Sequence, residues 1–205
     1  MVDMTEFFGG VLCLDFANSL DGRRLKVPKE TLFAYGDLAQ WALRAGVVDQ
    51  EVAERLLRRA AAEPGPAQEA FNAALELRET VFHAFHAIAR GTEPAAADLA
   101  ALQDAYRAAM AAAHLVRADG AYGWAFDGDD PNRTWWPVAR SAIELLTAGP
   151  VDRVRVCASS GGCAGLFLDL SKNRSRRWCS MSSCGVEVKT RRQNARRRAT
   201  RATGH

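Results

Sequence analysis

The sequence predicts a mainly α protein with one small β-hairpin, built as a helical N-terminal domain followed by a small, cysteine-bearing C-terminal module that ends in a basic helix. Three observations predict it. Apolar residues recur at helical spacing in successive segments before residue 150. A single Asp119-Gly120 pair, the dipeptide of two-residue hairpin turns, splits the one stretch of alternating character. The composition then breaks at Pro150. Residues 1–150 hold 14 Lys/Arg against 21 Asp/Glu, net −7, whereas residues 151–205 hold 13 against 3, net +10, together with four of the five cysteines.

A chain of 205 residues accommodates one main domain and an appendage, domains usually running to about 100–150 residues. With 48% hydrophobic and 25% charged residues, its composition is that of a soluble globular protein. No apolar run approaches the ~20 residues of a membrane span. The N-terminus carries Asp3 and Glu6 where a secretory signal would be basic, so the expected location is the cytoplasm. Cysteines in a reducing compartment suggest metal ligands or reactive thiols before disulfides.

The elements follow in order. After an apolar segment at 11–20 and a polar loop at 21–29, YGDLAQWALRAG spaces Leu38, Trp41, Ala42 and Ala45 helically and stops at Gly46. Residues 50–63 form a second helix, ended by Pro64-Gly65-Pro66. Residues 67–90 form a long third, with Phe71, Leu75, Val81, Phe82, Phe85 and Ile88 on its apolar side and Gly91 closing it. Strong helix formers fill a fourth at 95–113. HLVRADGAYGWAFDG gives the hairpin, and DDPNRTWWPVARSAIELLTAG returns to helix, with Pro137 suited to the first turn and Gly149 to the end. Beyond Pro150, VDRVRVC and LFLDLS read as short extended segments and residues 184–200 as the basic helix.

The cysteine frame is Cys157-x5-Cys163-x15-Cys179-x4-Cys184. Zinc takes four soft or borderline ligands in a tetrahedron, and two short cysteine pairs on facing turns supply them without a large fold. The first pair is one residue longer than the usual spacing, an excess that Ser159, Ser160, Gly161 and Gly162 can absorb. One structural Zn²⁺ on Cys157, Cys163, Cys179 and Cys184 is the expectation. Closely spaced thiols beside arginine also suit a redox sensor, and four unrelated cysteines are the plainest alternative. Cys13 reads as a small buried hydrophobe.

Lys172, Arg174, Arg176 and Arg177 precede Trp178. Lys189, Arg191, Arg192, Arg196, Arg197, Arg198 and Arg201 follow on the helix, whose Val188, Ala195 and Ala199 can lean on the zinc core. Such a surface neutralises several phosphates at once, and arginine suits bidentate contact to phosphate or guanine edges. DNA is the expected partner, with RNA as the nearest alternative because Trp178 can stack on bases. A solvated tail is the bland reading.

At this point the chain resembles the bacterial CGNR-type zinc finger proteins, whose N-terminal half is the ABATE domain. CAGLFLDLSKNRSRRWCSMSSCG carries the likeness to the finger. FGGVLCLDFANSL, YGDLAQWALRAG, HLVRADGAYGWAFDGDDP and WPVARSAIELLT carry it upstream. The resemblance implies zinc, DNA binding and stress-linked transcription regulation. One departure stands out: where the family has Cys-Gly-Asn-Arg, this chain has Cys184-Gly185-Val186-Glu187, and Glu187 is expected to oppose a nearby phosphate.

The remaining candidates are weaker. His83 and His86 lie three apart on a helix with no third ligand marked nearby, so they read as ordinary helix residues. Asp15 and Asn18, with Trp135, Trp136 and Arg140, are candidates for lining a small-molecule pocket, against capping or a buried polar network as the alternative. No GxSxG, phosphate loop or dinucleotide fingerprint is present, so no enzyme is expected, although an enzymatic N-terminal pocket is the rival from another class. The assignment is a helical domain at 1–150 that senses a small-molecule effector or forms a homodimer, and a zinc-binding module at 151–205 that binds nucleic acid.

Overall fold

Helix α1 (Leu12–Ala17) is only six residues long, yet Cys13, Leu14, Phe16 and Ala17 are all fully buried, which places it at the centre of the core. Burial pushes the Cys13 thiol up to about 12, as for an inert apolar side chain. The structure, a computed structural model, describes residues 7–118 and 120–202, without the side chains of Ala118, Arg192 and residues 196–202.

Five further helices build the body, α2 (Tyr35–Arg44), α3 (Gln50–Ala62), α4 (Pro64–Ala89), α5 (Ala96–Ala111) and α6 (Trp136–Thr147); α4 and α6 pack on α1, and α2, α3 and α5 pack on α4. Helix α2 starts where Asp37 accepts from the amides of Phe33 and Ala34 at 2.8 and 3.0 Å, and it stops at Gly46, whose φ of 69° suits glycine. Asp49 caps α3 by accepting from Val52 N at 2.8 Å.

Pro64-Gly65-Pro66 departs from expectation. These residues do not form a linker but are the first turn of α4. A proline there loses no hydrogen bond, because the first amides of a helix have no intrahelical acceptor, and its fixed φ is already helical. The 26-residue α4 is the axis of the domain, touching α1, α2, α3 and α5.

The hairpin forms as expected from β1 (Ala113–Ala118) and β2 (Ala121–Phe126), antiparallel with Ala118 opposite Ala121. A short 3-10 turn, Pro131–Thr134, leads into α6, with Pro137 in the first turn of that helix.

The chain beyond Pro150 joins the same core. Strands β3 (Val154–Val156) and β4 (Leu166–Leu168) pair antiparallel, Val154 opposite Leu168, and the buried Val154, Leu166 and Leu168 pack within the main hydrophobic cluster. Helix α7 (Val186–Ala202) follows a π-type turn at Met181–Gly185. No helix among the described residues is long and apolar enough to cross a membrane.

Loop 21–30 ties body to module. Arg78, almost wholly buried on α4, grips both oxygens of Glu30 at 2.7 Å, and its Nε donates to Glu79 at 3.0 Å. Arg23 donates to Glu79 at 2.6 Å. Burial alone would raise the Glu30 and Glu79 carboxyls, but the arginines hold both below their ordinary value. The loop so pinned carries Arg24 and Leu25 to the cysteines.

Candidate metal centre and its basic surround

Strand β3 runs straight into Cys157, whose amide donates to Gly165 O at 2.9 Å and so lengthens the β3–β4 ladder by a pair. Residues 157–165 are therefore a hairpin knuckle with Cys157 and Cys163 at its base. The long spacer is absorbed as the sequence suggests. Gly162 takes a φ of 93°, and the Ser159 hydroxyl accepts from Gly161 N at 3.0 Å. The second pair comes from the facing segment. Ala158 N donates to Arg177 O at 2.9 Å, bringing the run before Cys179 alongside the knuckle, and the π-type turn at Met181–Gly185 returns Cys184 to the same point.

All four sulfurs lie within 4.8 Å of one another, and all four residues are buried. None is in a disulfide. The Cys163–Cys179 and Cys179–Cys184 Sγ separations are 3.7 and 3.6 Å. A tetrahedron with Zn–S bonds of about 2.3 Å has an edge of about 3.8 Å, so the cage already has the size that zinc requires. Its chemistry asks for a cation too. Thiol donation from Cys163, then Cys179 and Cys184, holds the Cys157 thiol well below its ordinary value, and the same approach to Cys157 pushes Cys163 and Cys179 up. A divalent ion replaces those shared protons and lets all four ligands bind as thiolates.

Side chains from distant parts of the chain close the cage. Phe8, Phe167 and Trp178 pack on the sulfurs. Arg24 donates to Cys157 O at 3.2 Å, and its amide to Gly162 O at 2.9 Å. Phe8, Arg24 and Phe167 carry no cysteine-like signature, so spacing alone could not nominate them.

The arginine run divides in two. Arg176 turns inward, against expectation: its guanidinium lies 4.5 Å from the centroid of the Phe167 ring. It donates to the carbonyls of Trp178 at 3.1 Å, Phe8 at 3.2 Å and Cys179. It braces the cage and does not offer its charge outward. The loop around it is wound on the buried carboxylate of Asp169, which accepts from Ser171 N and Oγ and from Arg176 N. Asp169 was concealed in LFLDLS as an ordinary strand-end residue.

Lys172, Arg174 and Arg177 are exposed, Arg174 pairing with Asp152 at 2.6 Å. Trp178 is half-buried, with the Arg177 guanidinium 5.6 Å from its ring. On α7, Lys189 and Arg191 are exposed, and Arg191 donates to Ser160 O at 3.2 Å. The expected sites at Arg192, Arg196, Arg197, Arg198 and Arg201, and Ala199, have side chains outside the described residues. Val188 is half-buried but Ala195 is exposed, so of the two described residues of the expected seam only Val188 leans on the module. Glu187 faces the knuckle: it accepts from Ser159 Oγ at 3.3 Å and pairs with Arg191 at 2.8 Å. An internal cation thus answers the charge expected to repel phosphate.

The five residues proposed for a pocket do not converge. Asn18 bonds both ways with the backbone of β4, donating to Leu166 O and accepting from Leu166 N, each at 2.8 Å. Asp15 accepts from Gly9 N at 2.7 Å, and burial pushes its carboxyl up to about 6. Trp135 and Trp136 are core residues, Trp135 donating from its indole to Asn132. Arg140 pairs with Glu144 at 2.8 Å beside a surface depression. Asp15 and Asn18 thus make contacts of the polar-network kind, joining α1 to Gly9 and to β4. His86 stacks on Phe82, and His83 Nδ1 lies 4.0 Å from Asp98.

Comparison with known families gives two matches. The model described as "Putative stress-induced transcription regulator", ABATE, matches residues 10–149, and the CGNR zinc finger matches residues 153–197. No curated protein sequence matches the chain. The finger match and the four-sulfur cage together define one structural zinc centre. With the first of these matches covering well over half of its length, the chain belongs to the ABATE family and carries a C-terminal CGNR zinc finger.

Proposed function

We propose that the chain is a zinc-dependent DNA-binding protein of the cytoplasm that regulates transcription, acting by binding and not by catalysis. One observation carries the reading. Ala158 N meets Arg177 O, and Arg191 meets Ser160 O, so the basic loop before Cys179 and the basic helix after Cys184 both lie against one knuckle held by zinc. Two segments of like charge repel, and a metal cage is the means of keeping them adjacent for a polyanion. In this reading the 1–150 domain supplies effector sensing or dimerisation, and the 151–205 module supplies the contacts.

Duplex DNA is favoured over RNA by Trp178. Its side chain is half-buried against the cluster of cysteines and Phe167 and flanked by Arg177, a poor platform for stacking an unpaired base. Zinc supplies structure here. Lys172, Arg177 and Lys189 contact phosphate, and Arg176 holds their frame. The test is fluorescence anisotropy of a labelled mixed-sequence duplex, at low and moderate salt, before and after zinc removal. Binding that weakens steeply with salt and is lost with the metal supports the reading, whereas binding indifferent to chelation reduces the tail to a polycation.

A further inference from the structure

A cavity of about 160 Å³ opens between loop 21–29 and the finger. Its lining includes three of the four zinc ligands, Cys163, Cys179 and Cys184, but not Cys157. The rest is polar at its rim, with Asp21, Lys29 and Glu187, and it contains Ser183, whose hydroxyl is buried without a hydrogen-bond partner. A polar cavity of this size holds several waters. The sulfurs are buried against bulk solvent but open to a small solute.

We propose that this cavity admits a small neutral oxidant of the peroxide class to the zinc thiolates and that the three cysteines lining it, Cys163, Cys179 and Cys184, are the modification sites. The lining selects them over Cys157, and the Cys163–Cys179 and Cys179–Cys184 Sγ separations of 3.7 and 3.6 Å set a resolving neighbour beside each. A thiolate sulfur attacks one peroxide oxygen, the O–O bond breaks, and hydroxide leaves, giving a sulfenic acid. The neighbouring thiolate attacks that sulfur and expels a second hydroxide. In sum two thiolates, one H₂O₂ and two protons give one disulfide and two waters, with sulfur oxidised and peroxide oxygen reduced. Two ligands are lost and zinc leaves. The site selects by charge and size: with Glu187 paired to Arg191 and Lys29 beside Asp21, the net −2 of a zinc tetrathiolate disfavours anions, and the volume excludes bulky reagents. The inference rests on the zinc centre and is independent of what the finger binds.

The test uses the full-length zinc-loaded protein. Zinc content is measured first, then zinc release by hydrogen peroxide is followed with a chromophoric chelator while tryptic mass spectrometry locates the disulfide. Separate samples are titrated with limiting iodoacetamide or iodoacetate. Expected are release with a disulfide between two of Cys163, Cys179 and Cys184, labelling of those three cysteines before Cys157 and Cys13, and iodoacetamide at least several-fold faster than iodoacetate. Ser183→Leu, which fills the cavity, slows release at least several-fold while keeping the zinc. If that variant fails to hold zinc, the labelling order in the unaltered protein decides alone. Full zinc occupancy with Cys157 labelled as fast as the others, or with no disulfide among Cys163, Cys179 and Cys184, overturns the oxidant site only; a chain that takes up no zinc overturns the centre and the site together.

Discussion

At the scale of single residues, Arg176 and Arg177 show how neighbours of one type take opposite duties. Arg176 donates to three backbone carbonyls around the cage, so Arg176→Ala leaves buried acceptors without donors, a loss of about 1–3 kcal/mol. Arg177 is exposed and flanks Trp178, so Arg177→Ala should leave melting nearly unchanged and, on the DNA-binding reading proposed above, lower the salt slope of duplex binding by about 1. Thermal melting and salt titration of the two variants check this, and equal effects on both readouts would sink the division. The sequence made the cations legible as a group because charge is a property of composition. It could not separate the two, because which arginine turns inward depends on Phe8 and Phe167 arriving from other parts of the fold. The zinc ligands were legible because a tetrahedron constrains spacing along the chain, and the same constraint explains why the long first spacer still fits.

Among the elements, α1 does more than its six residues suggest. Its apolar face fills the core while Asp15 and the following Asn18 reach the N-terminal segment and β4. The native Asp15 carboxyl titrates at about 6 because burial raises it, whereas in the unfolded chain it titrates near 3.9. Between those values the folded state keeps a proton that the unfolded state releases, so the contribution of Asp15 to stability falls as pH rises through the window and is fully lost above it. With partial solvent screening the loss is on the order of 1 kcal/mol. Asp15→Asn keeps an acceptor for Gly9 N but cannot ionise. Urea unfolding of wild type and variant at pH 5 and pH 7.5 should show the variant gaining relative stability at the higher pH, and parallel values at the two pH points would refute a buried, titrating Asp15. Periodicity made the long helices and the hairpin legible. It failed at Pro64-Gly65-Pro66, where breaker residues sit in a helical first turn that has no hydrogen bonds to break, and at the pocket, where Asn18 serves a contact across 148 positions of sequence that no local pattern encodes.

For the whole molecule, body and finger share their stability. Val154, Leu166 and Leu168 lie in the main core, Leu168 N donates to Gly9 O at 2.8 Å, and loop 21–30, pinned by Arg78 and Glu30, lays Arg24 against Cys157 and Gly162. A finger hung on a flexible linker would melt by itself when its metal is removed. Here the sulfurs hold the ends of β3 and β4, and those strands present their apolar side chains to α1 and α4, so loss of zinc frees core residues of the helical body as well. Binding energy spent on the folded state alone is folding energy for every part that unfolds with it. Removing zinc with a chelator should therefore lower the melting of the helical signal at 222 nm by at least 10 °C, in one transition that moves as a unit. Two separated transitions, with the larger helical one unmoved, would show that the finger folds on its own account. Coupling of this kind gives the acidic body a physical route to the basic surface, since any ligand or partner that shifts α1 or loop 21–30 acts on the backbone of Cys157 and on the packing of the knuckle.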